Sequence, residues 1–137
     1  LAVTWGVPPE GLIDKPLDCA VAKAEDIFDA RFRVGSAVTN VVVIDPAGFL
    51  FDMRSGHLYK PSTSWSQGGP IIDDCIVELV RCQSGSKGPI YWEARAGFED
   101  EPGHAIQYGS TRLIAAMRCF VASKLGDEVD VPEELLS

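Results

Sequence analysis

The stretch STRLIAAMRCFVASKLG, residues 110–126, carries the clearest local pattern in the sequence. Its large apolar residues recur with the period of an α-helix and share one broad face: Leu113, Ile114, Met117, Phe120, Val121 and Leu125. Ser110 or Thr111 can cap the first turn, and Gly126 tolerates the positive φ with which many helices end. The stretch therefore predicts a helix of about 15 residues. Its apolar face is expected in the core, the alternative being a face that binds a partner.

The composition is that of a globular protein that can close its own core. The chain has 137 residues, of which 46% are hydrophobic and 23% charged. No apolar run is long enough to span a membrane, and LAVTWGVPPEGL at the start lacks the basic flank and apolar segment of a secretory signal. We expect one domain over residues 1–137, no membrane attachment and a cytoplasmic location. The sequence leaves the oligomeric state open.

The formal net charge of −8 is concentrated in two acidic clusters, one at residues 99–101 and one in the tail after Gly126. The tail cluster consists of Asp127, Glu128, Asp130, Glu133 and Glu134. Direct nucleic-acid binding is disfavoured, because affinity for phosphate backbones comes mainly from clustered Lys and Arg. The tail carboxylates are either solvated surface or a partner-binding patch for a basic molecule, including a mimic of DNA charge.

The first half of the chain predicts one helix and a few short strands. Residues 1–11, rich in Pro and Gly, are expected to form an extended or irregular lead-in. A helix is predicted over 12–26, with Asp14 as its cap. Residues 27–39 have no clean period and are taken as loop, with a short strand left open. A strand is predicted over 40–45, and a hairpin from 49–52 and 57–60.

The second half predicts most of the sheet. Two antiparallel strands are predicted over residues 76–82 and 90–96, joined by the turn QSGSKGP. A third strand is predicted over 104–108. Residues 127–137 are expected to be extended and then to form one helical turn after Pro132. The predicted fold class is α+β, with a small antiparallel sheet packed against two main α-helices.

The stretch STSWSQGGP, residues 62–70, is the best candidate for a binding site. It is polar and rich in Gly, it contains a Trp, and it is predicted as a loop that enters a short helix, IIDDC, at Pro70. Such loops expose backbone N–H groups at the positive end of a helix dipole and can hold an anion. The alternative is a structural turn in which Trp65 serves as a packing anchor.

The sequence gives little indication of catalysis or of metal binding. His57 and His104 are its only imidazoles, and neither lies in a nucleophile motif. The four cysteines contain no C-x-x-C pair of the kind that binds zinc or forms a redox dithiol, and they are expected to be free thiols: Cys19, Cys75, Cys82 and Cys119. The spacing of Cys75 and Cys82 leaves a disulfide between them as the alternative. We therefore predict no catalytic residue, no metal site and no cofactor, and we regard an enzyme as less expected than a binding protein.

Three segments together resemble the NinX-like family of bacteriophage and prophage proteins: LDCAVAKAED at 17–26, YKPSTSWSQGGPII at 59–72, and LIAAMRCFVASKLGDEVDVPEELL at 113–136. The resemblance implies a phage accessory protein in the bacterial cytoplasm and supplies no activity. It also directs attention to the 62–70 stretch, in which six residues match the family's motif: Ser62, Thr63, Trp65, Gln67, Gly68 and Gly69.

Three hypotheses follow for the function. The first is a non-enzymatic accessory protein that binds a host or phage macromolecule, through the acidic tail. The second is a protein that binds or sequesters a small anionic or nucleotide-like ligand at the 62–70 loop, with the ligand stacked on Trp65 and bonded to backbone N–H groups. The third is a hydrolase of unknown type, ranked last because the sequence shows no acid–base pair.

Overall fold

The computed structural model describes residues 3–32, 34 and 40–136, and within them the chain forms three α-helices and eight β-strands. The helices are α1 (Asp14–Ala24), α2 (Trp65–Cys75) and α3 (Arg112–Leu125). The strands are β1 (Thr4–Val7), β2 (Val42–Ile44), β3 (Leu50–Asp52), β4 (His57–Leu58), β5 (Ile76–Gln83), β6 (Ile90–Ala96), β7 (Ala105–Gly109) and β8 (Val129–Pro132). Two 3-10 turns, Pro9–Gly11 and Glu133–Leu135, complete the described part.

Helix α3 is the central element, as its sequence pattern predicts. The Thr111 Oγ1 accepts a hydrogen bond from the Ile114 N–H at 3.1 Å, and Gly126 ends the helix with a φ of 86°. Five of the six large residues of its apolar face are buried and Leu125, at the last position of the helix, is exposed. The helix contacts α1, α2 and the β5–β6–β7 sheet. The apolar face lies in the core, so the prediction for this helix is confirmed.

Helix α1 packs against α3 and buries Leu17, Ala20 and Val21, the face that its periodicity predicts. It runs from Asp14 to Ala24, which lies within the predicted 12–26 range. Asp14 is its first residue rather than its cap, and it has a positive φ of 52°.

The β5–β6–β7 sheet is antiparallel and has the predicted order. Strands β5 and β6 form the expected hairpin, with a bulge in the register between Ile76 and Glu78. Strand β7 is the predicted third strand, shifted by one residue to Ala105–Gly109. Ala94 and Ala96 of β6 are buried and belong to the core cluster that also contains the apolar face of α3.

The β2–β3–β4 sheet is shorter than its sequence suggests. Strand β2 occupies the centre of the predicted 40–45 strand, and the predicted hairpin is formed by β3 and β4. Of the predicted 27–39 loop, residues 33 and 35–39 lie outside the described residues. Within the described part of that loop, Phe28 forms a single parallel bridge with Val42.

The lead-in, predicted as extended or irregular, contains a strand, and the predicted architecture requires correction. Thr4–Val7 is strand β1, and it pairs with β8 in register from Thr4↔Pro132 to Val7↔Val129. The partner strand supplies hydrogen bonds that no local pattern in the lead-in can reveal. The fold is mixed α+β, but the described residues form three helices and three small antiparallel sheets instead of two helices and one sheet.

The predicted 62–70 loop is also corrected, because helix α2 begins at Trp65 and includes Gly68, Gly69 and Pro70. Gly68 is buried where a Cβ atom would lie 2.4 Å from the Pro61 carbonyl oxygen and 2.6 Å from Leu113 Cδ2. This glycine therefore permits close packing of α2 against its neighbours and makes no bend. Tertiary packing stabilises a helix across residues that locally disfavour it.

No helix in the described ranges is both long and apolar enough to cross a membrane. The core is a cluster of buried residues contributed by all three helices and by strands of all three sheets. Its position matters for the candidate site, since α2 and α3 contact each other and both begin at the surface.

Candidate functional site

A concave site lies where α2 and α3 begin, and we call it the helix-start cleft. Its volume is about 440 Å³. Its described lining residues are Ser62, Thr63, Trp65, Trp92, Ser110, Thr111, Arg112, Leu113 and Ile114. Most of the polar members are hydroxyl residues, and two indole rings and one guanidinium complete the set.

The first residues of two helices, Trp65 of α2 and Arg112 of α3, both line the cleft. The first N–H groups of an α-helix have no acceptor within the helix, and the helix dipole places partial positive charge there. In α3 the Thr111 side chain satisfies the Ile114 N–H, whereas no side chain caps α2. Both helix starts therefore favour negative charge in the cleft.

Arg112 supplies the formal positive charge of the cleft. Its guanidinium lies 4.1 Å from the centroid of the Trp92 ring, within the range of a cation–π contact. The ion pairs of the described residues involve Arg31, Arg54 and Arg95, so Arg112 has no carboxylate partner among them. A guanidinium stacked on a ring keeps its N–H edge available for planar recognition of an oxyanion.

The two tryptophans of the cleft differ in their surroundings. Trp92 of β6 lies opposite Gly109 of β7, packs against the core and carries Arg112 over its ring. Trp65 is 53% exposed. The Trp65 ring is therefore the aromatic surface that the cleft offers to a ligand.

The buried carboxyl group of Asp18 lies behind the cleft and holds Ser62 in place through a hydrogen bond. The Ser62 N–H donates to Asp18 Oδ1 at 2.8 Å, and both residues are buried. Burial raises the pKa of the Asp18 carboxyl from 3.8 to about 7, while the hydrogen bond from the Ser62 N–H opposes this rise. Nearby Asp14 raises the same pKa further, and Lys60 lowers it.

The Ser62 hydroxyl is buried and forms no hydrogen bond of normal geometry with any described group, although it lies near enough to Asp18 to lower the pKa of that carboxyl. A buried hydroxyl without a partner costs free energy. Ser62 lines the cleft, but its Oγ is buried and is not offered to a ligand there.

The six predicted ligand-binding residues separate into two groups. Ser62, Thr63 and Trp65 line the cleft, and Gln67, Gly68 and Gly69 are absent from its described lining. The Gln67 amide accepts from the Lys60 N–H at 2.6 Å and donates to the Leu58 carbonyl at 2.8 Å. Gln67 and Gly68 thus hold α2 against its surroundings, while Gly69 has open space around it. Binding of a ligand by these residues stays a prediction.

The residues that sequence reasoning did not select come from distant segments: Trp92, Ser110, Thr111 and Arg112. Ser110 and Thr111 were recognised as helix caps, and a cap marks a helix start that can face a ligand. No local pattern places Trp92 beside them, because that contact arises from the pairing of β6 with β7.

The predicted partner-binding residues lie in another part of the molecule. Their carboxylates are exposed along β8 and the following 3-10 turn: Asp127, Glu128, Asp130, Glu133 and Glu134. Between them, Val129, Val131 and Leu135 are buried in the core. Glu133 also accepts a hydrogen bond from the Trp5 indole N–H at 3.3 Å. The acidic tail is therefore a packed part of the fold that carries exposed acids.

A smaller cavity of about 280 Å³ is lined in part by Tyr59, Lys60 and Thr63. It shares Thr63 with the helix-start cleft and has Asp18 among its lining residues. The Lys15 Nζ lies 4.8 Å from the centroid of the Phe49 ring at this cavity. Residues of segment 59–63 thus line both concave surfaces, and the buried Asp18 lines the smaller one and accepts a hydrogen bond from Ser62 of the cleft.

The described lining of the helix-start cleft offers hydroxyl groups, two indole rings and one guanidinium. Its described lining contains no carboxylate, imidazole or thiol, which are the usual groups for general acid–base and nucleophilic catalysis. Across the described ranges, no group of three or more His, Cys, Asp or Glu side chains is arranged to hold a metal ion.

The fold and the cleft define a mixed α+β protein with a polar, cationic recess between two helix starts. The family model described as Bacteriophage P22, NinX matches residues 10–124, and the chain belongs to this family of phage proteins. The match includes every described residue of the cleft and ends before the acidic tail. No match was found among curated proteins.

Proposed function

We propose that this phage protein is an accessory protein of the bacterial cytoplasm that acts by binding, and that its ligand is a small anion held in the helix-start cleft. One observation carries the proposal: the guanidinium of Arg112, without a carboxylate partner in the described chain, lies in a cleft at which two helices begin. This arrangement is the second of the three sequence hypotheses, with Arg112 added as the cation.

The energetic argument combines several modest terms. A helix N-terminus stabilises a nearby anion by about 0.3–1 kcal/mol at an exposed position. A hydrogen bond to a charged group contributes about 1.5–3 kcal/mol. Two helix starts and one guanidinium together can therefore offset the repulsion between an anion and a chain of net charge −8.

The composition of the cleft supports binding in preference to catalysis. Ser62 is the hydroxyl closest to a base, since its N–H bonds to Asp18, but its buried Oγ is poorly placed to attack a substrate. Ser110, Thr111 and Thr63 have no imidazole or carboxylate beside them in the lining. Nucleophilic catalysis by a hydroxyl requires such a base.

The proposal is tested by titrating the uniformly 15N-labelled protein with inorganic phosphate at constant ionic strength. We expect saturable shifts of the amide signals of Trp65, Ser66, Arg112 and Leu113, because these N–H groups open the two helices. In the variant Arg112→Gln, the amide signals are expected to show no saturable shifts. Lys87→Gln, which removes a charge in the exposed β5–β6 turn, is the matched control and is expected to bind as the parent does.

Two results would overturn this proposal. One is a phosphate titration that shifts no amide at the helix starts. The other is an equal response of the parent and Arg112→Gln, which would mean that the shifts report only a general effect of the salt.

A second candidate function is binding of a basic macromolecule, from host or phage, by the acidic tail. It is favoured by one observation: five carboxylates are exposed on a backbone that is held rigidly by β1 and by buried side chains. A rigid charged surface loses little conformational entropy on association.

The test of this second candidate changes charge and keeps the strand. The variant Asp127→Asn, Glu128→Gln, Asp130→Asn and Glu134→Gln is compared with a control in which the acids of residues 99–101 become amides. The candidate predicts that only the tail variant loses a salt-sensitive partner from a lysate of infected cells. Equal capture by both variants would show that the tail charges are solvated surface.

A further inference from the structure

We infer that the ligand of the helix-start cleft is a nucleoside monophosphate, with its phosphate at Arg112 and the two helix starts and its base against Trp65. This inference rests on the proposed function and specifies the chemical class of the anion. Three features of the cleft support it: the amount of charge, the exposed aromatic ring and the volume.

The charge of the cleft suits one phosphate group. Arg112 is the single cation among the described lining residues, and no lysine accompanies it. Polyphosphates and nucleic acids need several cations or a metal ion to neutralise successive phosphates, and affinity for them grows with the number of Lys and Arg contacts. The net charge of −8 opposes a polyanion further. A monophosphate is the anion that this charge distribution best accommodates.

The exposed indole of Trp65 provides a surface for a planar base. Trp92 already carries the Arg112 guanidinium on its ring, whereas among the described residues no charged or aromatic partner lies on Trp65. The Trp65 side chain is 53% exposed and lines the polar cleft, so its ring is open to contact with a planar group. Stacking of a base on such a ring tolerates any base, because every base has a π-face.

The volume and the hydroxyl groups fit the rest of a nucleotide. The cleft of about 440 Å³ lies within the usual size range of small-ligand sites. Thr63, Ser110 and Thr111 are exposed and can donate or accept hydrogen bonds to a sugar or a base edge. Leu113 and Ile114 supply an apolar wall.

The test is isothermal titration calorimetry of the intact protein at fixed ionic strength and without added metal. Four ligands are compared: a nucleoside 5′-monophosphate, the matching nucleoside 5′-triphosphate, ribose 5-phosphate and inorganic phosphate. We expect the monophosphate to bind at least about tenfold more tightly than inorganic phosphate or ribose 5-phosphate, since stacking of one base contributes that much. The triphosphate is expected to bind no more tightly than the monophosphate.

Variants separate the two halves of the ligand. Trp65→Ala is expected to reduce affinity for the monophosphate about tenfold and to leave the affinity for inorganic phosphate unchanged, and Trp65→Phe is expected to retain most of the affinity. Arg112→Gln is expected to weaken both ligands. Trp5→Ala removes an equally exposed indole from β1, outside the cleft, and is the matched control. The melting temperature of each variant shows whether its fold is intact.

The outcomes distinguish this inference from the proposed function. Equal affinity for inorganic phosphate and the monophosphate, or unchanged monophosphate binding in Trp65→Ala, would overturn the nucleotide inference and leave an anion site. Tighter binding of the triphosphate by tenfold or more would overturn the monophosphate class. If neither inorganic phosphate nor the monophosphate binds, the proposed function is overturned together with the inference.

Discussion

The segments 62–70 and 127–137 are both candidate binding regions in the sequence, and the fold uses them in opposite ways. The first segment is held by hydrogen bonds: the Gln67 side chain accepts from the Lys60 N–H, and the Ser62 N–H donates to Asp18. Its Trp65 ring is left exposed beside a cleft. The second is held by buried apolar side chains, and its charges point outward along a paired strand.

This difference shows what composition can and cannot identify. Composition finds exposed chemistry, such as acids or an aromatic residue among glycines. A recess forms only when a second element supplies its other wall, and here that element is the start of α3 with Arg112. The 62–70 segment has such a wall, whereas the described cleft includes no residue of the tail.

The largest expected effect comes from deleting residues 127–137. The deletion removes buried Val129, Val131 and Leu135, and each contributes about 1.5–3 kcal/mol through burial. The summed loss, on the order of 6 kcal/mol, is comparable to the whole stability of a small domain. We expect the truncated chain to be largely unfolded, as measured by circular dichroism and urea denaturation.

The contrasting variant keeps the strand and neutralises the exposed tail acids to amides. We expect its free energy of unfolding to differ from the parent by about 1 kcal/mol or less, because exposed substitutions have small effects. A truncated chain that stays folded would contradict the structural role of the tail.

The next effect is a pH dependence of the free energy of unfolding, which the buried Asp18 carboxyl beside the cleft introduces. Its folded pKa of about 7 lies above the ordinary value of 3.8, so between these pH values the folded chain holds a proton that the unfolded chain has released. Stability due to this group is present below about pH 4 and is lost as pH rises through about 7, with a slope approaching about 1.4 kcal/mol per pH unit.

The variant Asp18→Asn keeps an acceptor for the Ser62 N–H and removes the titration. We expect chemical denaturation at several pH values to show a flatter profile for Asp18→Asn between about pH 4 and about 7. Asp73→Asn, an exposed change on α2, serves as the control and should keep the slope of the parent. Parallel profiles for parent and Asp18→Asn would show that the buried carboxyl does not titrate in this range.

The smallest effects come from a pair of neighbouring glycines in α2. Gly68→Ala is expected to lower the free energy of unfolding by about 1–3 kcal/mol, because its Cβ would overlap the Pro61 carbonyl and Leu113. Gly69→Ala meets nothing within 4 Å and is expected to raise stability by about 0.5–1 kcal/mol, since Ala favours a helix. Urea denaturation measures both changes, and two changes of the same sign would contradict the packing role of Gly68.

The elements that the sequence predicts well are those whose determinants are local. Helix α3 carries its own period, the Thr111 cap and the Gly126 stop within one stretch. The β5–β6 hairpin carries β-branched and aromatic residues on the two sides of a Gly-rich turn. In these elements, the residues that decide the structure are neighbours in the chain.

The features that the sequence does not reveal depend on contacts between distant segments. The pairing of Thr4 with Pro132 has no local signature. Helix α2 begins at Trp65 instead of Pro70 because Gly68 packs closely against Pro61 and Leu113. This tertiary packing outweighs the local preference of the glycines for a bend. The cleft could be predicted only in part, because Trp65 was visible in a distinctive stretch and Arg112 was one residue of an ordinary helix.

The antiparallel register of β1 with β8 has a mechanical consequence. Thr4 faces Pro132 at one end of the ladder, and Val7 faces Val129 at the other. A force that draws residues 3 and 133 apart therefore acts on the Thr4 end first and peels the pairs in succession, instead of shearing them all together. The β1–β8 ladder is therefore loaded one pair at a time from this edge, while the buried Val129 and Val131 side chains hold β8 to the core.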